Sequence, residues 1–81
     1  MSKSEKLLHK AMNNPIGLNF EELKTLMVRC GWVFDRQPGS SHEIWYSPKG
    51  YMLAIQNRHG KAKGYQVKQF LVQYAKENEN V

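Results

Sequence analysis

A histidine at position 42 follows the stretch Gln37-Pro38-Gly39-Ser40-Ser41 and opens the run His42 to Tyr46. An unperturbed imidazole titrates near pH ~6.5, so His42 is a candidate general acid or base at neutral pH. Gly39, Ser40 and Ser41 form a candidate supporting turn. Glycine admits a ligand close to the backbone, and adjacent N–H groups with serine hydroxyls can hold a phosphate. Cleavage of an RNA phosphodiester needs this combination. The 2′-hydroxyl must lose a proton to attack phosphorus, the leaving 5′-oxygen must gain one, and the developing charge needs cationic or N–H donors. The bland alternative is a surface histidine at a strand end. Strict alternation puts His42 on the face of Ile44 and Tyr46, toward the core, unless a bulge at the strand start reverses it.

A second constellation is Arg-His-Gly-Lys-Ala-Lys-Gly, Arg58 to Gly64, just before a helical stripe. A helix start attracts phosphate through its unpaired N–H groups. Lysines there oppose the helix dipole, so Lys61 and Lys63 ask for another reason, and an anion is the simplest. Arg58 and His59 complete a candidate RNA-binding set, on a stretch that otherwise reads as a flexible solvated loop. His59 is also a candidate second acid or base, while His9 falls on the polar side of the first helix. Trp45 and Tyr51 are candidate stacking surfaces for bases, with packing as the commoner use. The histidines are scattered with no cysteine or acid at ligand spacing, so neither metal nor cofactor is expected. Cys30 sits in an apolar helical pattern and reads as a buried, inert thiol. Ser40 and His42 make a poor serine hydrolase, lacking a nucleophile elbow and an orienting acid.

Eighty-one residues allow one domain with a modest core. The net charge of +5 is uneven: from Arg36 to Lys76 there are seven Lys or Arg and one acid, Glu43. That asymmetry suggests a polyanionic partner, nucleic acid being the commonest, or a basic face kept for solubility. The N-terminal stretch Met1 to Asn14 has no long apolar run, so neither a signal peptide nor a membrane contact is expected, and the location reads as cytoplasmic.

The elements that must position these residues are legible from periodicity. Ser2 and Glu5 have capping-box spacing before Leu7, Leu8, Ala11 and Met12, and Asn13-Asn14-Pro15 stops that helix. Asn19 and Glu22 form a second capping box, with Leu18 and Leu23 as a hydrophobic staple. Phe20, Leu23, Leu26, Met27 and Cys30 make the stripe, and Gly31 closes it. The period then changes to two. Trp-Val-Phe-Asp-Arg (Trp32 to Arg36), His-Glu-Ile-Trp-Tyr (His42 to Tyr46) and Tyr-Met-Leu-Ala-Ile-Gln (Tyr51 to Gln56) read as a three-stranded antiparallel meander, with Ser47 to Gly50 as a turn. Val67, Phe70, Leu71 and Tyr74 mark a last helix. Both helical stripes can bury themselves on one sheet face, leaving the other open.

The helix Phe20 to Trp32, the Arg-x-x-Gly-Ser-Ser-His pattern at Arg36 to His42, the strand closing on Asn57-Arg58-His59 and the final helix together resemble the HicA toxin family of toxin–antitoxin systems. The resemblance spans roughly Leu18 to Tyr74. It implies an α+β fold like the double-stranded RNA-binding domain, helix–three strands–helix, with an additional N-terminal helix over residues 1–17, the family domain over 18–77 and a frayed tail over 78–81. It implies an endoribonuclease that cuts messenger RNA and a cognate HicB-like antitoxin as partner. It places the catalytic histidine at His42, the supporting turn at Gly39 and Ser40, and RNA contacts at Arg58 to Lys63. The chain departs from the pattern in Ser2 to Gly17, and at Gln56-Asn57, where many members carry proline. Two other readings fit the residues: an RNA-binding module that does not cut, and an interaction domain for an acidic protein.

Overall fold

A computed structural model describes residues 3–78. The chain is α+β. Helix α1 (Lys3–Asn13) leads through a 3₁₀ turn, Pro15–Gly17, to α2 (Phe20–Arg29). Strands β1 (Val33–Gly39), β2 (His42–Tyr46), β3 (Met52–Arg58) and β4 (Lys61–Ala62) precede α3 (Gly64–Glu77). The strands form one antiparallel sheet in the order β1-β2-β3-β4. Ser2 and residues 79–81 lie outside the described residues, and with them the expected first capping box and most of the tail. Asn78 caps α3 by donating its backbone N–H to the Tyr74 and Ala75 carbonyls.

The start of α2 follows from its sequence. Asn19 Oδ1 accepts the Glu22 backbone N–H at 2.8 Å, and Glu22 Oε1 accepts the Asn19 N–H at 3.1 Å. Both staple leucines, Leu18 and Leu23, are fully buried. The helix ends in a Schellman motif. Gly31, at φ 87°, donates to the Val28 carbonyl, and Trp32 donates to the Met27 carbonyl. Helix α1 is tied to α2 by Lys10, whose Nζ bonds Glu22 at 2.8 Å, and by Ala11, which is fully buried in the common core. The Lys10 bond and the Asn19 N–H hold the Glu22 carboxyl below its ordinary range.

Helices α2 and α3 pack on one face of the sheet, and α1 packs on those two helices. Trp45, Leu53 and Ile55 join Leu23, Leu26, Met27, Val67 and Phe70 in that core. Trp32 packs on Phe70 with ring centroids 5.2 Å apart and the planes tilted by 56°. Cross-strand register assigns the other face. His42 pairs with Gln56, Ile44 with Ala54 and Tyr46 with Met52, so these six share the face away from the helices.

The structure corrects three expectations. The stretch Asn57 to Lys63 is no flexible loop. It is a β3–β4 hairpin whose two connecting residues, His59 and Gly60, both take positive φ (53° and 84°), as a type I′ turn requires. A fourth strand therefore joins the expected three. Next, the face carrying Ile44, Tyr46 and His42 is the open one. Trp45, a candidate stacking surface whose commoner use is packing, is 4% exposed beneath the helices. Glu43 on that same side reaches Lys24 of α2 at 3.5 Å and accepts the Trp45 Nε1–H at 3.0 Å. Finally, β1 carries two bulges. Phe34 pairs with Trp45 but Arg36 with Ile44, which leaves Asp35 as an extra residue. Plain alternation would put Arg36 with Phe34 on the helix side; the bulge turns it to the open face.

The face assignment is testable by truncation. Ile55→Ala, in the covered layer, should lose about 2–5 kcal/mol in urea unfolding. Ile44→Ala should lose less, because Ile44, although 8% exposed, lies outside the cluster packed against the helices. Equal losses would contradict the assignment.

Candidate functional site

His42 is exposed at the first position of β2. The two-residue connection Ser40-Ser41 brings it opposite Gly39, and an ideal Cβ on Gly39 would lie 3.8 Å from His42 Nδ1. Gln37 Nε2 donates to the Ser40 carbonyl at 2.9 Å, and Asn57 N–H donates to the Ser41 carbonyl at 2.9 Å. The turn is therefore held from both sides. Gly39 does not take positive φ. Its lack of a side chain is not needed for the backbone, and what it provides is open space beside the imidazole.

Gln56 faces His42 across the β2–β3 pair. Its backbone N–H points the other way, to Gln66 Oε1 of α3 at 2.8 Å. The pair is thus of the non-hydrogen-bonded kind, in which facing Cα atoms stand about 4.5 Å apart and side chains approach closely. Gln66 is nearly fully buried and anchors β3 to α3 at the level of the histidine. Neither glutamine stood out from its type. The available signal was alternation: once Leu53 and Ile55 are core, Gln56 must share a face with His42.

The basic residues expected before the last helix are partly brought to this end. Arg58 lies two residues beyond Gln56 on β3 and pairs with Lys61 on β4, so both continue the His42–Gln56 face. Diagonal neighbours in a sheet stand roughly 7–8 Å apart, which puts Arg58 within one side chain's reach of the imidazole. His59 occupies the turn itself. Its backbone conformation has a structural cause, because the I′ turn needs positive φ there. Lys63 is the N-cap residue of α3, with Nζ 5.8 Å from the Tyr65 ring centre, and no side chain caps that helix. Gly64 makes room for Ile16: a Cβ there would come within 2.9 Å of Ile16 Cγ1. Gly60 serves the turn. Neither glycine is left over for a phosphate.

Trp45 and Tyr51 do not supply a base-stacking surface on this face. Trp45 is buried, and Tyr51 packs edge-on against Trp32 with centroids 6.4 Å apart. Cys30 is partly buried, and burial pushes its thiol up, away from the reactive thiolate. A cleft of about 680 Å³ lies between α2 and the β1–β2 edge, lined by Val28, Arg29, Phe34 and Trp45. It is on the helix side of the sheet, and its only charge pairing is Lys24 with acids. Among the described residues no group of three His, Cys, Asp or Glu can hold a metal ion, and no helix is long and apolar enough to cross a membrane.

Glycine substitutions separate backbone need from open space. Gly39→Ala should leave the urea unfolding free energy within about 0.5 kcal/mol, since nothing obstructs the new methyl. Gly60→Ala, forced into positive φ, should lose about 1–2 kcal/mol. His59→Asn should hold the hairpin, because asparagine tolerates that conformation. A loss at Gly39 as large as that at Gly60 would contradict the geometry.

Comparison with protein-family models, with curated proteins and with solved structures finds no match to this chain.

Proposed function

We propose that the chain is an RNA endonuclease of the HicA type, with a fold related to the double-stranded RNA-binding domain and α1 added at its front. The observation that carries the reading is the exposed His42 beside Gly39, on the same open sheet face as Gln56, Arg58 and Lys61. His42 is the general acid or base of the cleavage. Arg58 and Lys61 hold the phosphate whose charge grows in the transition state, and Lys63 at the start of α3 extends the basic track. Ser40 and Ser41 offer backbone and hydroxyl donors next to the imidazole. Gln56 faces the ring closely enough to orient it. His59 contacts RNA from the hairpin turn, and the second proton passes through it or through water. The working partners are messenger RNA and, as inhibitor, an acidic HicB-like protein that covers this face in a cytoplasmic toxin–antitoxin pair.

Two substitutions test the reading. His42→Ala should slow cleavage of a labelled single-stranded RNA by roughly 10²–10⁴-fold, the usual contribution of a proton-transfer group, while binding changes little. An unchanged rate removes His42 from the mechanism. Wild-type protein that binds RNA and never cuts it would leave a non-catalytic binding module instead. Lys61→Ala with Lys63→Ala should flatten the plot of log affinity against log salt by roughly 1.4, about 0.7 for each lost phosphate contact on a single strand. An unchanged slope rejects both contacts.

A further inference from the structure

The open face is laid out in rows across the strands. His42 and Gln56 form one row with Gly39; Ile44 and Ala54 form the next with Arg36; Tyr46 and Met52 form the third with Val33. The first row carries the proposed chemistry. The third has no acid or base that such chemistry would use, yet it is built of an aromatic ring between two apolar side chains left open. Val33 is 64% exposed and Met52 51%. Buried Trp45 and edge-packed Tyr51 are excluded from this face, which makes Tyr46 its aromatic.

The middle row joins the two. Arg36 is turned onto this face by the Asp35 bulge. Its guanidinium pairs with the neighbouring Asp35 carboxylate, on the side of the sheet where the Tyr46 hydroxyl also lies. A guanidinium already paired with a carboxylate is a weakened phosphate ligand, but its flat face still stacks on a base. An apolar shelf with an aromatic floor and a planar cation at its edge fits a nucleobase better than it fits a phosphate or an acidic side chain. The cations Arg58 and Lys61 at the far end of the same face suit the backbone of that same strand.

We propose that Tyr46, with Arg36, Val33 and Met52, forms a nucleobase subsite that holds an unpaired base flanking the cleavage position. The proposal rests on the nuclease reading and extends it to substrate selection. His42 and Tyr46 are four residues apart on one strand, about 13–14 Å at roughly 3.4 Å per residue. The subsite therefore takes a neighbouring base, not one at the scissile bond. It also requires single-stranded RNA, because a base within a duplex cannot be laid flat on the sheet.

The test uses the cleavage-dead His42→Ala protein and a fluorescently labelled single-stranded RNA oligonucleotide followed by anisotropy. Adding Tyr46→Ala should weaken binding roughly 5- to 150-fold, the range for loss of one base–aromatic stack. Tyr46→Phe, which keeps the ring, should bind nearly as well as the parent. A walk of single abasic nucleotides along the RNA needs no further change to the protein. It should reveal one position, off the scissile bond, where removing the base costs as much as Tyr46→Ala, and Tyr46→Ala should be indifferent to that abasic site. Equal affinity with and without the Tyr46 ring, or the lack of any sensitive flanking position, overturns the subsite while leaving cleavage intact. No RNA affinity at low salt overturns the nuclease reading itself. Tight binding of an acidic protein to this row, with RNA binding untouched by Tyr46→Ala, also overturns the subsite.

Discussion

Burial of the Trp45–Leu53–Ile55 face under the helices is the constraint on which everything else in this molecule hangs. In a sheet of four short strands the two faces are locked together by the pleat, so fixing one fixes the other. Once Trp45 and Ile55 are sealed against Phe70, Leu23 and Leu26, His42 is left on the opposite face, where its position at the strand end exposes it. Moving the register by one residue would bury the imidazole and expose the tryptophan. The exposure of the histidine is thus a consequence of hydrophobic burial elsewhere, with no local strain at His42 needed to achieve it.

The end of the sheet that holds His42 is stiffened by polar contacts because it lies beyond the apolar core. Gln66, almost wholly buried, accepts the Gln56 N–H where β4 has not yet begun to pair with β3. Asn57 bonds back to the Ser41 carbonyl and, through Oδ1, accepts the Gly60 N–H at 2.7 Å. Phe20 N–H donates to the Gly60 carbonyl, and Asn19 bridges to Lys61, so the β3–β4 hairpin is anchored to the start of α2. A basic segment that would be mobile as a loop is thereby kept at a set distance from the turn Ser40-Ser41. The proposed joint action on one phosphate would draw on this pre-ordering.

The charges divide between the two sides of the sheet. Glu43 and Glu21 are occupied with Lys24, and Glu22 with Lys10, all on the helix side. Glu77 is engaged by the Lys49 N–H and by Gln73 at the far end of α3. The open face keeps Arg36, Arg58 and Lys61; Asp35 is committed to Arg36, and Lys61 also acts on Glu22 at the start of α2. Three of the chain's basic residues thus share the histidine's face, where a polyanion approaching from solvent would meet them.

Much of this was readable in the sequence, because local chemistry determines local structure. Asn19 and Glu22 can cap only one helix, Gly31 can end it with positive φ, and the change from a 3.6 to a 2 period after Gly31 marks where strands begin. The residues around His42 announced a turn and a titratable group without any knowledge of the rest. Three things were decided only in three dimensions. Both alternating sets of β2 carry an aromatic residue, Trp45 in one and Tyr46 in the other, so periodicity divides the strand into two faces without saying which one the helices will cover. The bulge at Asp35 moves Arg36 across the sheet, and nothing in Trp-Val-Phe-Asp-Arg marks an extra residue. The Asn57 to Lys63 hairpin depends on His59 accepting a left-handed conformation that its type does not favour, a local cost offset by the pairing of Arg58 with Lys61 and the bonds from Asn57 and Phe20. Short-range preferences act within a few residues, whereas the choice of face, the re-aimed arginine and the hairpin are each fixed by contacts between segments far apart in the chain.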